Sequence, residues 1–197
     1  MANQDAAFGL RPLKTVGQQD DSTGMSSYNI SPGDASVIFQ GALVGSPATG
    51  TGYIDLQTAG LVLNLGAFWG TFYNDPTTLK PTFKNYYPGS ITPPNSGTVE
   101  AFVYDSPSQM YEIQSDNAGA SAQADIFKCG DLVGTSGSTL NGVSSMEFDD
   151  GTLGTTGQFK IIGVSRDPEN SDLGSANVNW RVMVNEHLLG SGTAGAA

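Results

Sequence analysis

Short runs of alternating apolar and polar residues, each ended by glycine, proline, asparagine or aspartate, constrain the fold of this chain most strongly. In the last run, Val178, Trp180 and Val182 alternate with polar neighbours. A period of two places alternate side chains on opposite faces of a β-strand. Apolar stripes at helical spacing are missing over comparable lengths, and glycine, a poor helix former, accounts for 26 of the 197 residues. The pattern therefore predicts an all-β protein, built as a β-barrel or a β-sandwich.

About ten strands are expected, and almost no helix. They cover residues 27–30, 37–44, 52–56, 61–73, 99–104, 110–115, 124–128, 143–148, 158–164 and 177–188. The run at 158–164 is apolar on both faces, which predicts a central position in its sheet. The proline-rich segment 74–98 cannot form a central strand, so it is predicted to be a loop insertion. We expect a β-rich domain over 27–189, either one unit or two sub-modules divided by 74–98, followed by a flexible tail at 190–197.

Residues 1–26 are predicted to form an extended N-terminal arm. Pro12 keeps its predecessor extended and removes one backbone donor. Such a segment has little reason to fold on its own chain, so it is expected to lie on another surface. The side chains expected to contact that surface are apolar or cationic: Phe8, Leu10, Arg11, Leu13 and Lys14.

The charge balance narrows the range of partners. Asp and Glu number 19 against 8 Lys and Arg, which gives a net charge of −11. A surface this acidic repels phosphate backbones, so direct nucleic-acid binding is not expected. No run approaches the roughly 20 apolar residues of a membrane span, so no membrane partner is expected either.

The residues needed for catalysis or metal binding are scarce. Cys129 is the single cysteine and is predicted to be a small buried hydrophobic residue. His187 is the single histidine, and we expect it to be bonded to a backbone group at the end of a strand. Two carboxylate groups are interpreted as solvated turns: Glu147, Asp149 and Asp150, and Asp167, Glu169 and Asp172. With no zinc-type ligand set and no Gly-x-Ser-x-Gly motif, the sequence predicts no catalytic residue, no metal site and no cofactor.

Aromatic residues supply the candidates for an interface. The densest cluster lies within the predicted strand at 61–73, where core burial is expected for most of its rings. Phe68 and Trp69 are adjacent and should face opposite sides, so one of them should contact something other than its own core. The interface candidates are Trp69, Tyr73, Tyr86 and Tyr87.

Several stretches carry a resemblance to a known family. They are residues 1–12, residues 65–81 with their Phe-Tyr-Asn-Asp-Pro-Thr-Thr sequence, residues 101–115, and residues 158–188 with an Arg-Asp-Pro turn and an Asn-Glu-His end. In these stretches the chain resembles the capsid cement or head-decoration proteins of tailed bacteriophages, especially marine ones.

The resemblance implies a non-enzymatic structural role. A cement protein would lie on the outer surface of the capsid in the virion, bind the major capsid protein and bridge neighbouring capsomers. Other copies of the chain would be partners too, as a trimer or a dimer. In this interpretation Phe8 and Leu10 are anchors in apolar pockets, and Arg11 and Lys14 pair with capsid carboxylates.

Three other functions stay open at the level of sequence. A virion-surface protein could bind a host glycan or receptor through Trp69 and Tyr73. A tail or connector component would share the same composition. An enzyme, such as a glycan hydrolase using His187, Glu147 and Asp150, is the third alternative.

Overall fold

A computed structural model describes residues 3–16, 24–47, 49–61, 63–116 and 120–190. Within these ranges the chain is nearly all β, as predicted. Its strands are β1 (Arg11–Thr15), β2 (Ser26–Ile30), β3 (Leu43–Gly45), β4 (Asp55–Leu56), β5 (Asn64–Asn74), β6 (Pro81–Lys84), β7 (Val99–Tyr104), β8 (Gln109–Gln114), β9 (Cys129–Gly130), β10 (Leu132–Val133), β11 (Glu147–Phe148), β12 (Phe159–Val164) and β13 (Asn179–Val184). Two 3-10 turns, Pro94–Ser96 and Gln123–Asp125, are the helical elements of the described chain, and neither could cross a membrane.

The strands form two large antiparallel sheets in a sandwich-like arrangement. The five-stranded sheet has the order β1-β8-β13-β12-β9. The six-stranded sheet has the order β2-β7-β5-β3-β4, with β6 paired to β5. A small third sheet joins β10 to β11. One continuous cluster of buried side chains includes residues of both large sheets, and the hydroxyl of Tyr111 in β8 donates to the carbonyl oxygen of Tyr104 in β7 at 2.6 Å.

The strongest sequence predictions about the strands are confirmed. In β13 the side chains of Trp180, Val182 and Val184 are buried, as the alternation predicted. β12 lies between β13 and β9, so the run that is apolar on both faces has a neighbour on each side. Alternation within one strand therefore identified the face that the core covers.

Other predicted strands are shorter or are replaced by turns. Residues 124–128 form no strand, because the Asp125 carboxylate accepts the backbone N–H of Ala122 and the ammonium of Lys128, which closes a 3-10 turn. Of the predicted strands at 37–44 and 143–148, only their last residues lie in regular ladders. The proline-rich segment contributes β6, an outer strand that begins at Pro81. A proline fits there because an outer strand can leave one backbone donor unused.

The N-terminal segment, residues 3–15, differs most from expectation. Instead of lying on another surface, it folds on its own domain, where β1 pairs antiparallel with β8. Leu10 is 2% exposed and belongs to the core. Upstream, the Gln114 side chain donates to the carbonyl oxygen of Gln4 and accepts the N–H of Ala6, both at 2.8 Å. Residues 1, 2 and 17–23 of the predicted arm and 191–197 of the predicted tail lie outside the described ranges.

Candidate interaction surface

The N-terminal segment meets the aromatic cluster of β5 at a shallow cleft. The cleft has a volume of about 260 Å³ and a mainly apolar lining. Its lining includes Phe8 and Arg11 of the N-terminal segment together with Trp69 of β5 and Tyr104 of β7. The structure therefore brings together two groups of candidate residues that lie far apart in the sequence.

The position of the N-terminal segment depends on a close crossing of two backbones. The N–H of Leu10 donates to the carbonyl oxygen of Gly41 at 2.7 Å, and the N–H of Gly41 donates to the carbonyl oxygen of Phe68 at 2.7 Å. Gly9 and Gly41 both have positive φ angles, +72° and +84°. A Cβ on Gly9 would lie 2.6 Å from the Gly41 oxygen, so glycine is required for this crossing.

Arg11 is held in place from two sides although it is exposed. Its guanidinium lies 4.1 Å from the centroid of the Phe8 ring, and its Nη1 lies 3.1 Å from Oε2 of Glu112. The Glu112 carboxylate is buried and also accepts hydrogen bonds from Ser165 and Asn179. Each charge-assisted bond to Glu112 compensates part of its lost hydration, so Arg11 contributes to the attachment of β1 as well as to the surface.

Phe68 and Trp69 face opposite sides of β5, as predicted. Phe68 is buried, whereas Trp69 is 37% exposed. An irregularity in the pairing of β5 with β7 falls between Phe68 and Gly70, which leaves Trp69 as the extra residue. The Trp69 ring meets the Tyr104 ring edge-on, with centroids 5.6 Å apart. Trp69 is therefore the ring that can contact something other than its own core.

Three phenylalanines extend this surface across the six-stranded sheet. Phe72 lies directly opposite Phe83 of β6, and the rings of Phe83 and Phe102 have centroids 6.3 Å apart. Phe83 is 55% exposed and Phe72 is 40% exposed. We call the set Trp69, Phe72, Phe83, Phe102 and Tyr104 the aromatic face. Phe83 is not among the predicted interface candidates, because the proline-rich segment was predicted to be a loop and not a strand paired with β5.

Two of the four aromatic interface candidates are buried in the core. Tyr73 is almost fully buried. Tyr87 is fully buried, and its hydroxyl donates to the carbonyl oxygen of Asp34 at 3.0 Å. Tyr86 stays partly exposed, stacked on Phe39 with centroids 5.8 Å apart. The candidate interface therefore keeps Trp69 and Tyr86 and loses Tyr73 and Tyr87.

The residues of the N-terminal segment that were predicted to contact a partner differ in how far they are buried. Phe8 and Leu13 are partly exposed, and Arg11 and Lys14 are exposed. Leu10 fills the core of its own domain, so it is not available as an anchor in a pocket of a partner. Its apolar character reflects intramolecular packing.

The residues considered for catalysis or metal binding lie in the core or in turns of the fold. Cys129 is buried, and burial raises the pKa of its thiol. The prediction of solvated turns is wrong for Asp150, which is buried and accepts the hydroxyl of Ser121 at 3.0 Å. Two other predicted carboxylates cap turns: Asp149 accepts the backbone N–H of Gly151 and the hydroxyl of Thr152, and Asp172 accepts the hydroxyl of Ser175. These contacts are typical of Asx turns.

His187 is buried and bonded to the backbone, as expected from sequence. Its Nδ1 accepts the N–H of Leu189 at 3.0 Å. Burial lowers the pKa of His187, because the charged imidazolium would lose its hydration. The folded state therefore holds this side chain in the neutral form.

The lowered pKa of His187 predicts that the protein is less stable in mild acid than at neutral pH. Below a pH of about 6.5, His187 becomes protonated in the unfolded chain but stays neutral in the folded chain. The free energy of unfolding should therefore fall as the pH is lowered. The expected slope is at most about 1.4 kcal/mol per pH unit between pH 7 and 5.5, measured by urea unfolding.

His187→Gln is the control for this prediction, because His187 is the single histidine of the chain. The variant should flatten the slope, whatever its absolute stability. The raised pKa of Glu147, caused by burial, has the opposite sign and acts at lower pH. An equal slope in the variant would contradict the assignment to His187.

Fold and surface together define an all-β, sandwich-like protein with an exposed aromatic face on one sheet and its N-terminal segment at the border of that face. Comparison with models of known protein families, with curated proteins and with solved structures gives no match.

Proposed function

We propose that this protein is a non-enzymatic structural protein of a phage virion, which binds the outside of the capsid and stabilises it by bridging capsomers. The observation that carries the proposal is the aromatic face, with Trp69 and Phe72 exposed on β5 and Phe83 exposed on the paired strand β6. Contiguous exposed apolar surface marks an interaction site more often than scattered residues do. The resemblance of several stretches to cement proteins supports the major capsid protein as the proposed partner.

The aromatic face has the properties of a preorganised contact surface. Its rings lie on strands β5, β6 and β7, which are held by backbone ladders. Edge-on contact between Trp69 and Tyr104 further restricts those two rings. Little conformational entropy is lost when such side chains are covered, so much of the buried area can contribute to affinity. The major capsid protein and further copies of the chain, as dimers or trimers, are the proposed partners.

Capsid binding by variants in which one exposed aromatic residue is replaced tests this proposal. Phe83→Ser and Trp69→Ser should each weaken binding to purified expanded capsids by about tenfold or more, since exposed aromatic groups at an interface centre are typical hot spots. Binding is measured by cosedimentation, with electron cryomicroscopy of the saturated capsid to locate the protein.

Phe127→Ser is the matched control, because Phe127 is 74% exposed and adjoins β12 of the other sheet. It should leave capsid binding unchanged. Density at repeated lattice positions with the aromatic face against the shell would support the proposal. Equal binding by all three variants, or density at the tail or portal vertex alone, would reject it.

A glycan-binding role is the second candidate, favoured by the exposed Trp69 ring beside a cleft of about 260 Å³. Aromatic rings next to a cleft form platforms that can stack against apolar faces of a ligand. A glycan array separates the two functions: a specific signal that Trp69→Ser abolishes, together with no binding to capsids, would favour the glycan.

A further inference from the structure

We infer that the exposed side of the five-stranded sheet binds an acidic, extended segment of a partner polypeptide. The site is an open groove of about 600 Å³, which we call the cationic groove. Its lining includes four cations, Arg11, Lys14, Arg166 and Arg181, and the apolar residues Leu13 and Met110. The aromatic face lies on the other large sheet, so this inference goes beyond the function proposed above.

The charge of the groove is opposite to that of the whole protein. Four of the 8 basic residues of the chain line it, against two carboxylates. The chain as a whole has a net charge of −11. Because the chain as a whole is strongly acidic, this concentration of cations makes the groove a favourable place for an acidic segment.

Pairing of the strands places these charges in one row. Glu112 of β8 lies opposite Arg11 of β1 on one side and opposite Arg181 of β13 on the other. The two carboxylate oxygens of Glu112 already accept bonds from Arg11, Ser165 and Asn179. Glu112 is therefore compensated within the fold, mainly by Arg11, which leaves Lys14, Arg166 and Arg181 as the cations offered to a ligand.

Arg181 is oriented for binding. Its Nε donates to the carbonyl oxygen of Val164 at 2.9 Å, which fixes the guanidinium. Among the described residues, its two terminal nitrogens have no hydrogen-bond partner. A fixed guanidinium with free terminal donors suits a carboxylate, which can accept two parallel bonds.

Lys14 and Arg166 add exposed positive charge beside the row. Both are exposed, and neither forms an ion pair with any residue that the structure describes. Lys14 lies on β1, the outer strand of the sheet, and Arg166 follows the end of β12. An extended segment that lies across this sheet would therefore contact Lys14 on the side of β1 and Arg166 on the side of β12.

The composition of the groove favours a polypeptide over a nucleic acid. Leu13 and Met110 give it apolar surface, which the side chains of a peptide can cover. Asp167 contributes a negative charge that would repel a continuous phosphate backbone. A peptide that alternates carboxylates with apolar residues matches both properties, because its acidic side chains can be spaced to avoid Asp167.

The test measures binding of a fluorescein-labelled peptide in which glutamate and leucine alternate, by fluorescence anisotropy with the full chain. Lys14→Glu and Arg166→Glu should each weaken binding by about three- to tenfold, because an exposed ion pair is lost and a repulsion is added. Lys80→Glu is the matched control. It makes the same change in net charge at an exposed lysine outside the groove, and its effect should be below about twofold.

Two further ligands identify the chemistry that is bound. A peptide with glutamine in place of glutamate should bind at least about tenfold more weakly, since the charge-assisted bonds are lost. A single-stranded oligonucleotide of equal charge should also bind more weakly. Circular dichroism and thermal unfolding show whether each variant is folded, and Lys14→Gln and Arg166→Gln replace any variant that is not.

The inference is overturned if no binding of the glutamate peptide is seen at low salt. It is also overturned if Lys80→Glu weakens binding as much as the groove variants do, or if the glutamine peptide or the oligonucleotide binds as tightly. Its failure is separable from failure of the proposed function, because capsid binding is tested with Phe83 and Trp69 on the other sheet.

Discussion

Replacing Trp180 with alanine is expected to lower the free energy of unfolding by about 3–5 kcal/mol. The side chain is 0% exposed and lies on β13, which has β8 on one side and β12 on the other. A cavity left in the middle of a sandwich can collapse only partly, because neighbouring strands are fixed by their ladders. A domain of this kind has a total stability of about 5–15 kcal/mol, so the loss would be a large fraction of it. Urea unfolding followed by circular dichroism gives the value.

Trp69→Ala is the matched control for this prediction. Trp69 is the other of the two tryptophans and is 37% exposed on the aromatic face. Its truncation should cost less than about 1.5 kcal/mol, because the site is open to water and leaves no closed cavity. Equal losses for the two variants would contradict the burial that the structure assigns to them.

Replacing Leu10 with alanine is expected to cost about 2–4 kcal/mol. Leu10 is 2% exposed, and its backbone N–H donates to Gly41 where the N-terminal segment crosses the domain. Loss of this side chain removes apolar contacts just before β1, the outer strand of the five-stranded sheet. Denaturant unfolding gives the loss, and hydrogen exchange at β1 should show increased local opening.

Leu13→Ala provides the comparison, since Leu13 has the same side chain in the same N-terminal segment but is partly exposed at the cationic groove. Its loss should stay below about 1 kcal/mol. A small effect of Leu10→Ala, equal to that of Leu13→Ala, would mean that the segment is attached only loosely.

The role of Leu10 changes how a capsid-anchoring test must be designed. Deleting the first fourteen residues would remove most of β1 and Arg11, the ion-pair partner of the buried Glu112 carboxylate. Weaker capsid binding by such a truncated chain would then report on folding as well as on contact. Substitution of Phe83, which is exposed, or of Phe8, which is partly exposed, tests contact without removing a strand.

The two proposed contact surfaces lie on the two large sheets. A protein that bridges capsomers needs more than one surface of contact, and multivalent attachment turns weak contacts into strong binding. The aromatic face is apolar, whereas the cationic groove selects carboxylates, so the two would prefer different partner surfaces. Arg11 lines both the cleft beside Trp69 and the groove, which makes it the residue shared between them.

The sequence by itself determined the structural class and the faces of the individual strands. The alternation at 178–184 predicted that Trp180 and Val182 are buried, and the adjacency of Phe68 and Trp69 predicted that one ring faces outward. These properties depend on a period of two within a single strand, so a local pattern is sufficient to predict them.

The tertiary structure alone decided which strands are neighbours, and with them the candidate sites. Arg11 and Glu112 are 101 positions apart in sequence and form an ion pair only because β1 adds to β8. In the same way, Phe83 became part of the aromatic face because β6 pairs with β5, whereas Tyr73 and Tyr87 were covered by the core. Strand pairing depends on the packing energy of the whole core. The residues next to a given position in the sequence do not determine that energy, so a local pattern cannot predict the pairing.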